Sequence, residues 1–177
     1  MHKIEKDPAS FAELFHLYYK PIFGYIFRRI GDFDTATDVA IETFTKIFQH
    51  IRYFEDRGIS IKVWIYRIAS NEVNQYFRAK KKHNKLFERL DTNQDFRHYI
   101  EDDRARLEAE LQKHHQYLSI LEQVKTLPVK YQEVIALRYF EGKENKEIAE
   151  ILNLNEGTLK SLLSRGLEKL RLKCNPI

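Results

Sequence analysis

Lys160, Ser161, Ser164 and Arg165 cluster on one face of a single helix, and all four offer donors that base edges and phosphates accept. The opposite face holds Leu159 and Leu163, an i, i+4 pair that anchors the helix to a neighbour. Just upstream, Ile148 and Leu152 share one face of a second short helix. Ala149 is small where the helices must approach, and Leu154 plugs the turn. Asn153 stands where such a turn often needs a left-handed backbone, which Asn tolerates better than most residues. The stretch from Asn145 to Ser161 therefore reads as a helix-turn-helix ending in a basic recognition helix, and it points to DNA. A plain antiparallel helix pair with a solvated polar face fits the same pattern.

A second segment carries different chemistry. Trp64, Tyr66, Tyr76 and Phe77 are interleaved with Arg67, Asn71, Asn74, Gln75 and Arg78. Unstacked bases need a stacking platform, amides for their edges and cations for their phosphates, and this segment supplies all three. The competing assignment makes most of these aromatics core. Basic residues also cluster twice: Arg78, Lys80, Lys81, Lys82, Lys85 and Arg89, then Lys160, Arg165, Lys169, Arg171 and Lys173. Two separated patches suit a long polyanion, whereas one could serve only the helix dipole.

The elements that must position these residues are helices. Gly and Pro are scarce, 6 and 4 in 177 residues, and strong helix formers abound. Asp7-Pro8 starts a helix, with a stripe of Phe11, Leu14, Phe15 and Tyr18. Pro21 is expected to restart it, and Gly31-Asp32 to end it. Further helices are expected over about 34–50, with Ala36, Val39, Ala40, Thr43, Phe44 and Ile47 inward, and about 60–82. Others follow from about Asp103 to Leu127-Pro128 and over about 129–140, 144–152 and 156–173. The expected fold is all-α: two small helical domains, 1–83 and 103–177, joined by a linker over 84–102.

The bulk properties exclude several classes. The single cysteine, Cys174, permits no disulfide within the chain and fits a reducing cytoplasm. No apolar run approaches the ~20 residues of a membrane span, and the N-terminus lacks the apolar core of a signal peptide. His114-His115 are adjacent and diverge by about 100° on a helix, so they do not share a metal. No Gly-rich phosphate loop or nucleophile motif is visible, so no cofactor, metal, small-molecule substrate or enzymatic activity is expected.

The two segments together resemble the sigma-70 family, in particular its compact extracytoplasmic-function (ECF) group. Ala36-Thr37-Asp38-Val39-Ala40-Ile41-Glu42-Thr43-Phe44 and Trp64-Ile65-Tyr66-Arg67-Ile68-Ala69-Ser70-Asn71 are similar to signatures of the family's second conserved region. Leu127-Pro128, Glu133-Val134, Leu137-Arg138-Tyr139, Glu147-Ile148-Ala149 and Gly157-Thr158-Leu159-Lys160-Ser161 fall in the order of its fourth region. The resemblance implies a promoter-specificity subunit for core RNA polymerase, with an anti-sigma factor as a further candidate partner. It assigns Asp38, Glu42 and Phe44 to polymerase docking, and Trp64, Arg67, Asn71, Asn74, Gln75 and Arg78 to the single-stranded minus-ten element. Glu156, Thr158, Lys160, Ser161, Ser164 and Arg165 go to the minus-thirty-five duplex. Ile41 replaces the family's usual Gln, and Gln75 stands where Asp is common. Leu162, Gly166 and Leu167 stand where Arg, Ala and Arg are frequent.

Opening a duplex costs roughly 1.4 kcal/mol per base-pair step. Nothing in the sequence hydrolyses a nucleotide, so binding must supply that energy. Stacking a captured base is worth about 1–3 kcal/mol. Two rival expectations remain at this point: a helix-turn-helix regulator that works without polymerase, which leaves the Trp64–Asn71 segment unused, and a sigma-like adaptor that binds polymerase without reading a promoter.

Overall fold

The computed structural model describes residues 8–55, 58–83 and 115–174. The expected N-cap at Asp7, the linker over 84–102, the helical start near Asp103 and the basic residues Lys85 and Arg89 lie outside them. Seven α-helices are present among the described residues, with no strand. They are α1 (Pro8–Ile30), α2 (Phe33–His50), α3 (Ile61–His83), α4 (His115–Lys125), α5 (Val129–Ile135), α6 (Asn145–Leu152) and α7 (Glu156–Cys174).

α1 runs unbroken through Pro21, against the expected restart there. A mid-helix proline loses one hydrogen bond and costs about 3 kcal/mol. Packing outweighs it, because Ile22, Phe23, Tyr25 and Ile26 just beyond it are all fully buried, and each large apolar side chain contributes about 1.5–3 kcal/mol. The aromatics of α1 repeat every four residues, so they stack along one face. Ring centroids lie 4.9 Å apart for Phe15–Tyr19, 5.8 Å for Tyr19–Phe23 and 6.1 Å for Phe23–Phe27. The helix ends at Gly31, whose φ of 81° only glycine adopts without strain. Asp32 then caps α2, its carboxylate accepting from Thr35 N at 2.8 Å. α1, α2 and α3 pack on one another as the first unit.

In the second unit α7 packs on α4, α5 and α6. Buried Gln132 donates to the carbonyls of Lys125 (2.8 Å) and Leu127 (2.7 Å), closing the end of α4. After α5 the backbone widens into a π-helical stretch, Ala136–Phe140, closed by Glu141 N on Ala136 O at 3.0 Å. The expected single helix over 129–140 is therefore two segments, and the wider turn brings Glu141 against the first unit. Gly166 explains how closely α7 approaches α5: a Cβ there would lie 3.2 Å from Ile135 Cδ1. The units touch through α3 with α5 and α6, and through α1 with α4 and the π-helical stretch.

Candidate nucleic-acid interface

The helix-turn-helix forms as its sequence requires. Asn153, after α6, is the only non-glycine residue with positive φ among the described residues, at φ 52° and ψ 48°. Leu154 N donates back to Ala149 O at 2.9 Å, which turns the chain sharply. Asn155, which sequence reasoning did not single out, caps α7 by accepting from Thr158 N at 2.7 Å. Leu159, Leu163 and Gly166 bury the inner face of α7. Glu156, Thr158, Lys160, Ser161, Ser164 and Arg165, the expected duplex-reading set, are all exposed on the side of α7 away from its buried stripe.

The α3 set is brought together only in part. Asn71, Gln75 and Arg78 are exposed. Trp64 is half-buried and lies against Phe54, centroids 5.2 Å apart. Arg67 and Asn74 are half-buried and already bonded to the second unit. The Arg67 guanidinium donates to the main-chain oxygen of Glu150. Asn74 donates to Glu133 Oε1 at 2.8 Å and accepts from Arg29 at 3.1 Å. Ser70 donates to the same Glu133 oxygen. Arg67, Asn71 and Asn74 line a cleft of about 530 Å³ between the units, faced by Lys130, Glu133 and Leu162. Leu162 is thus half-buried in this cleft beside the α3 set. The core assignment holds for Tyr66, 2% exposed, whose hydroxyl donates to Glu141 at 2.9 Å. Burial, then the Glu141 carboxylate, pushes this phenol well above its ordinary range.

The expected polymerase-docking set splits. Asp38 and Glu42 are exposed on one face of α2. Phe44 must be corrected: it is 2% exposed and its ring sits 4.9 Å from that of Phe15, so it is core and cannot meet a partner. Glu42 shares Lys46 with buried Glu72, at 3.3 Å and 2.7 Å, which ties α2 to α3.

Sequence reasoning missed the groups that join the units. Arg28 pairs with Glu141, Arg29 lies 3.5 Å from Glu133, and Lys62 lies 3.3 Å from Glu147. Lys143 sits over the Tyr66 ring, Nζ 4.0 Å from its centroid. Burial, then the neighbouring Lys62, lowers the Lys143 amine to about 8. No local signal marks these residues, because their partners are far away in the chain.

The family description "Sigma-70 region 2" matches residues 14–83, and "Sigma-70, region 4" matches residues 117–170. The ECF RNA polymerase sigma factor SigW of Bacillus subtilis (strain 168) is 31% identical over 172 residues, 93% of this chain and 89% of that protein. The RNA polymerase sigma factor SigZ of the same organism is 30% identical over 162 residues, 92% of this chain and 85% of that protein. A solved structure of the sigma factor RpoE from Bartonella quintana, in complex with the anti-sigma factor NepR, superimposes with a TM-score of 0.64 at 19% identity. It covers 91% of this chain and 94% of that one, a likeness of fold. A polymerase-independent regulator would leave the region 2 match without a use, and that rival is set aside with the adaptor. With both regions matched in order and relatives aligned over nearly its whole length, the chain belongs to the sigma-70 family and is a promoter-recognising RNA polymerase sigma factor of the ECF group.

Proposed function

We propose that the outer face of α3 captures the melted non-template strand of the minus-ten element, while the outer face of α7 reads the minus-thirty-five duplex. The observation that carries this assignment is the division of α7, with Leu159 and Leu163 inward and Glu156, Thr158, Lys160, Ser161, Ser164 and Arg165 all outward. On α3, Asn71 presents donor and acceptor in one amide to a base edge. Trp64 offers a ring face, and Arg67 and Arg78 offer phosphate donors. Asn74 and Gln75 add amides on the same side. Asp38 and Glu42 on α2 dock the chain on core RNA polymerase, which holds the remainder of the bubble.

An anti-sigma factor is a further proposed partner, supported by the NepR complex of the RpoE relative in fold. The cytoplasm is the proposed compartment. No described helix is long and apolar enough to cross a membrane. Transcription from candidate promoters by purified core enzyme tests the assignment. Initiation dependent on this chain, and reduced by Asn71→Ala and Lys160→Ala, is the expected result. Initiation insensitive to both changes overturns the residue assignment.

A further inference from the structure

The cleft between the units has walls of two chemistries. One is aliphatic: Ile151, Leu152 and Leu154 at the end of α6 and in its turn, with Leu162 on α7. The other is polar: Arg67 and Asn71 on α3, with Lys130 on α5. Its volume of about 530 Å³ lies inside the range of about 300–1,000 Å³ usual for small-molecule sites, which favour junctions between domains.

The polar groups have binding capacity left over. Lys130 is exposed and meets no carboxylate among the described residues. Its amine lies over the Tyr131 ring, 5.1 Å from the centroid. The Asn71 amide is exposed and makes no hydrogen bond among the described residues. Arg67 gives one guanidinium nitrogen to the Glu150 carbonyl and keeps its charge. Glu133 is the one carboxylate among the described lining residues. It is answered by Ser70, by Asn74 and, at 3.5 Å, by Arg29. The cleft therefore presents net positive charge beside a hydrocarbon wall.

That mixture selects a ligand. Cations next to an aliphatic surface fit a molecule with an anionic head and a hydrocarbon body. No aromatic ring lines the cleft among the described residues, so a nucleobase would lack the stacking that usually holds it. A phosphate monoester carries about −1.5 to −2 charges at pH 7, and Glu133 opposes the second one. A carboxylate carries only one. Leu162 stands where Arg is frequent in the family, so the apolar wall belongs to this chain and not to the general plan.

We propose that the cleft is a binding site for a small aliphatic carboxylate, its head held by Lys130, Arg67 and Asn71 and its chain laid on Leu152, Leu154 and Leu162. This inference does not rest on the assignment of α3 to the melted strand.

The test titrates decanoate, below its micelle concentration, into the full chain by isothermal calorimetry and follows leucine and isoleucine methyl signals by NMR. One molecule should bind per chain, and the shifts should centre on Ile151, Leu152, Leu154 and Leu162. Octanoate, shorter by two methylenes, should bind about fifteenfold weaker, the factor that about 0.8 kcal/mol per buried methylene gives. Decanol keeps the chain and lacks the charge, whereas inorganic phosphate keeps charge and lacks the chain. Each should bind at least tenfold weaker than decanoate.

Lys130→Gln should weaken decanoate about tenfold and leave decanol unchanged, and Lys130→Arg should restore the wild-type affinity. Lys130 is exposed, so both variants should fold normally, which circular dichroism checks. Leu162→Gln should weaken decanoate and decanol alike. Methyl shifts centred elsewhere, binding that never saturates, or a decanoate affinity indifferent to Lys130→Gln would each overturn the proposal. Adenosine monophosphate bound more tightly than decanoate would overturn it too, and would give the cleft to nucleotides.

Discussion

Glu133 and Asn74, on helices of different units, share a hydrogen bond of 2.8 Å, whereas Asn71, one turn earlier on α3, lines the same cleft with its side chain exposed. The two asparagines therefore stand in different balances. Asn74→Ala removes partners from both Glu133 and buried Arg29. It should cost about 1–3 kcal/mol, read as a lowered melting temperature. Asn71→Ala should leave melting within about 0.5 kcal/mol and weaken binding to single-stranded minus-ten sequence about tenfold, the factor that 1.4 kcal/mol gives. An equal loss on every single-stranded sequence would place Asn71 on the backbone of the DNA instead of a base. Trp64, the single tryptophan, lies half-buried against Phe54 and reports the same event by fluorescence. A spectrum unmoved by saturating promoter DNA and polymerase would assign it to the core alone.

Glu42→Lys tests the docking face of α2. Glu42 is exposed and its bond to Lys46 is a surface pair, worth about 0–1 kcal/mol. Lys46 keeps its shorter bond to Glu72, so helicity and melting should barely change. Affinity for core polymerase should fall at least tenfold, because an attractive charge becomes a repulsive one. An unaltered affinity removes this helix from the docking surface.

Much of this molecule was legible in the sequence because its signals are local. The α6–turn–α7 geometry follows from Asn153, Leu154 and a 3.6-residue apolar period, and each took its expected place. Pro21 misled, because a proline's local penalty is visible in sequence while the burial of Ile22 and Ile26 that offsets it is not. Phe44 misled for a related reason: a family signature marks a residue as needed without saying whether it faces a partner or the core. The joining contacts of Glu133, Glu141 and Lys143 were invisible, since each depends on a residue dozens of positions away and no spacing rule connects them.

Leu162→Arg separates the duplex from the cleft. Leu162 lines the cleft between the units, where Arg67 and Lys130 already supply positive charge. An arginine there adds a third cation and a poorly hydrated stem. The melting temperature should fall, because burying an unpaired charge is costly. The salt dependence of minus-thirty-five duplex binding should stay unchanged, since Lys160 and Arg165 keep the outward face. A log–log slope steeper by about 0.9 would instead show a new phosphate contact and move Leu162 onto the DNA side.

Lys143 gives the fold a pH dependence with a definite sign. Its side chain is 5% exposed, and it shares the Glu147 Oε1 atom with Lys62, at 3.5 Å and 3.3 Å. Burial, then Lys62, lowers its amine from 10.5 to about 8 in the folded chain. Between these values the unfolded chain holds more protons than the folded one, so stability rises with pH. The opposing groups act higher. Burial keeps Tyr25 and Tyr66 neutral above their ordinary 10.0, so ionisation of the unfolded tyrosines reduces stability beyond about pH 10. Lys62, raised through its bond to Lys143 and the nearby Glu147, likewise loses its contribution only above 10.5. The melting temperature should therefore climb from pH 8 towards pH 10, and Lys143→Met should abolish the climb. A wild-type profile that is flat or falling over that interval would mean that Lys143 stays charged between the two units.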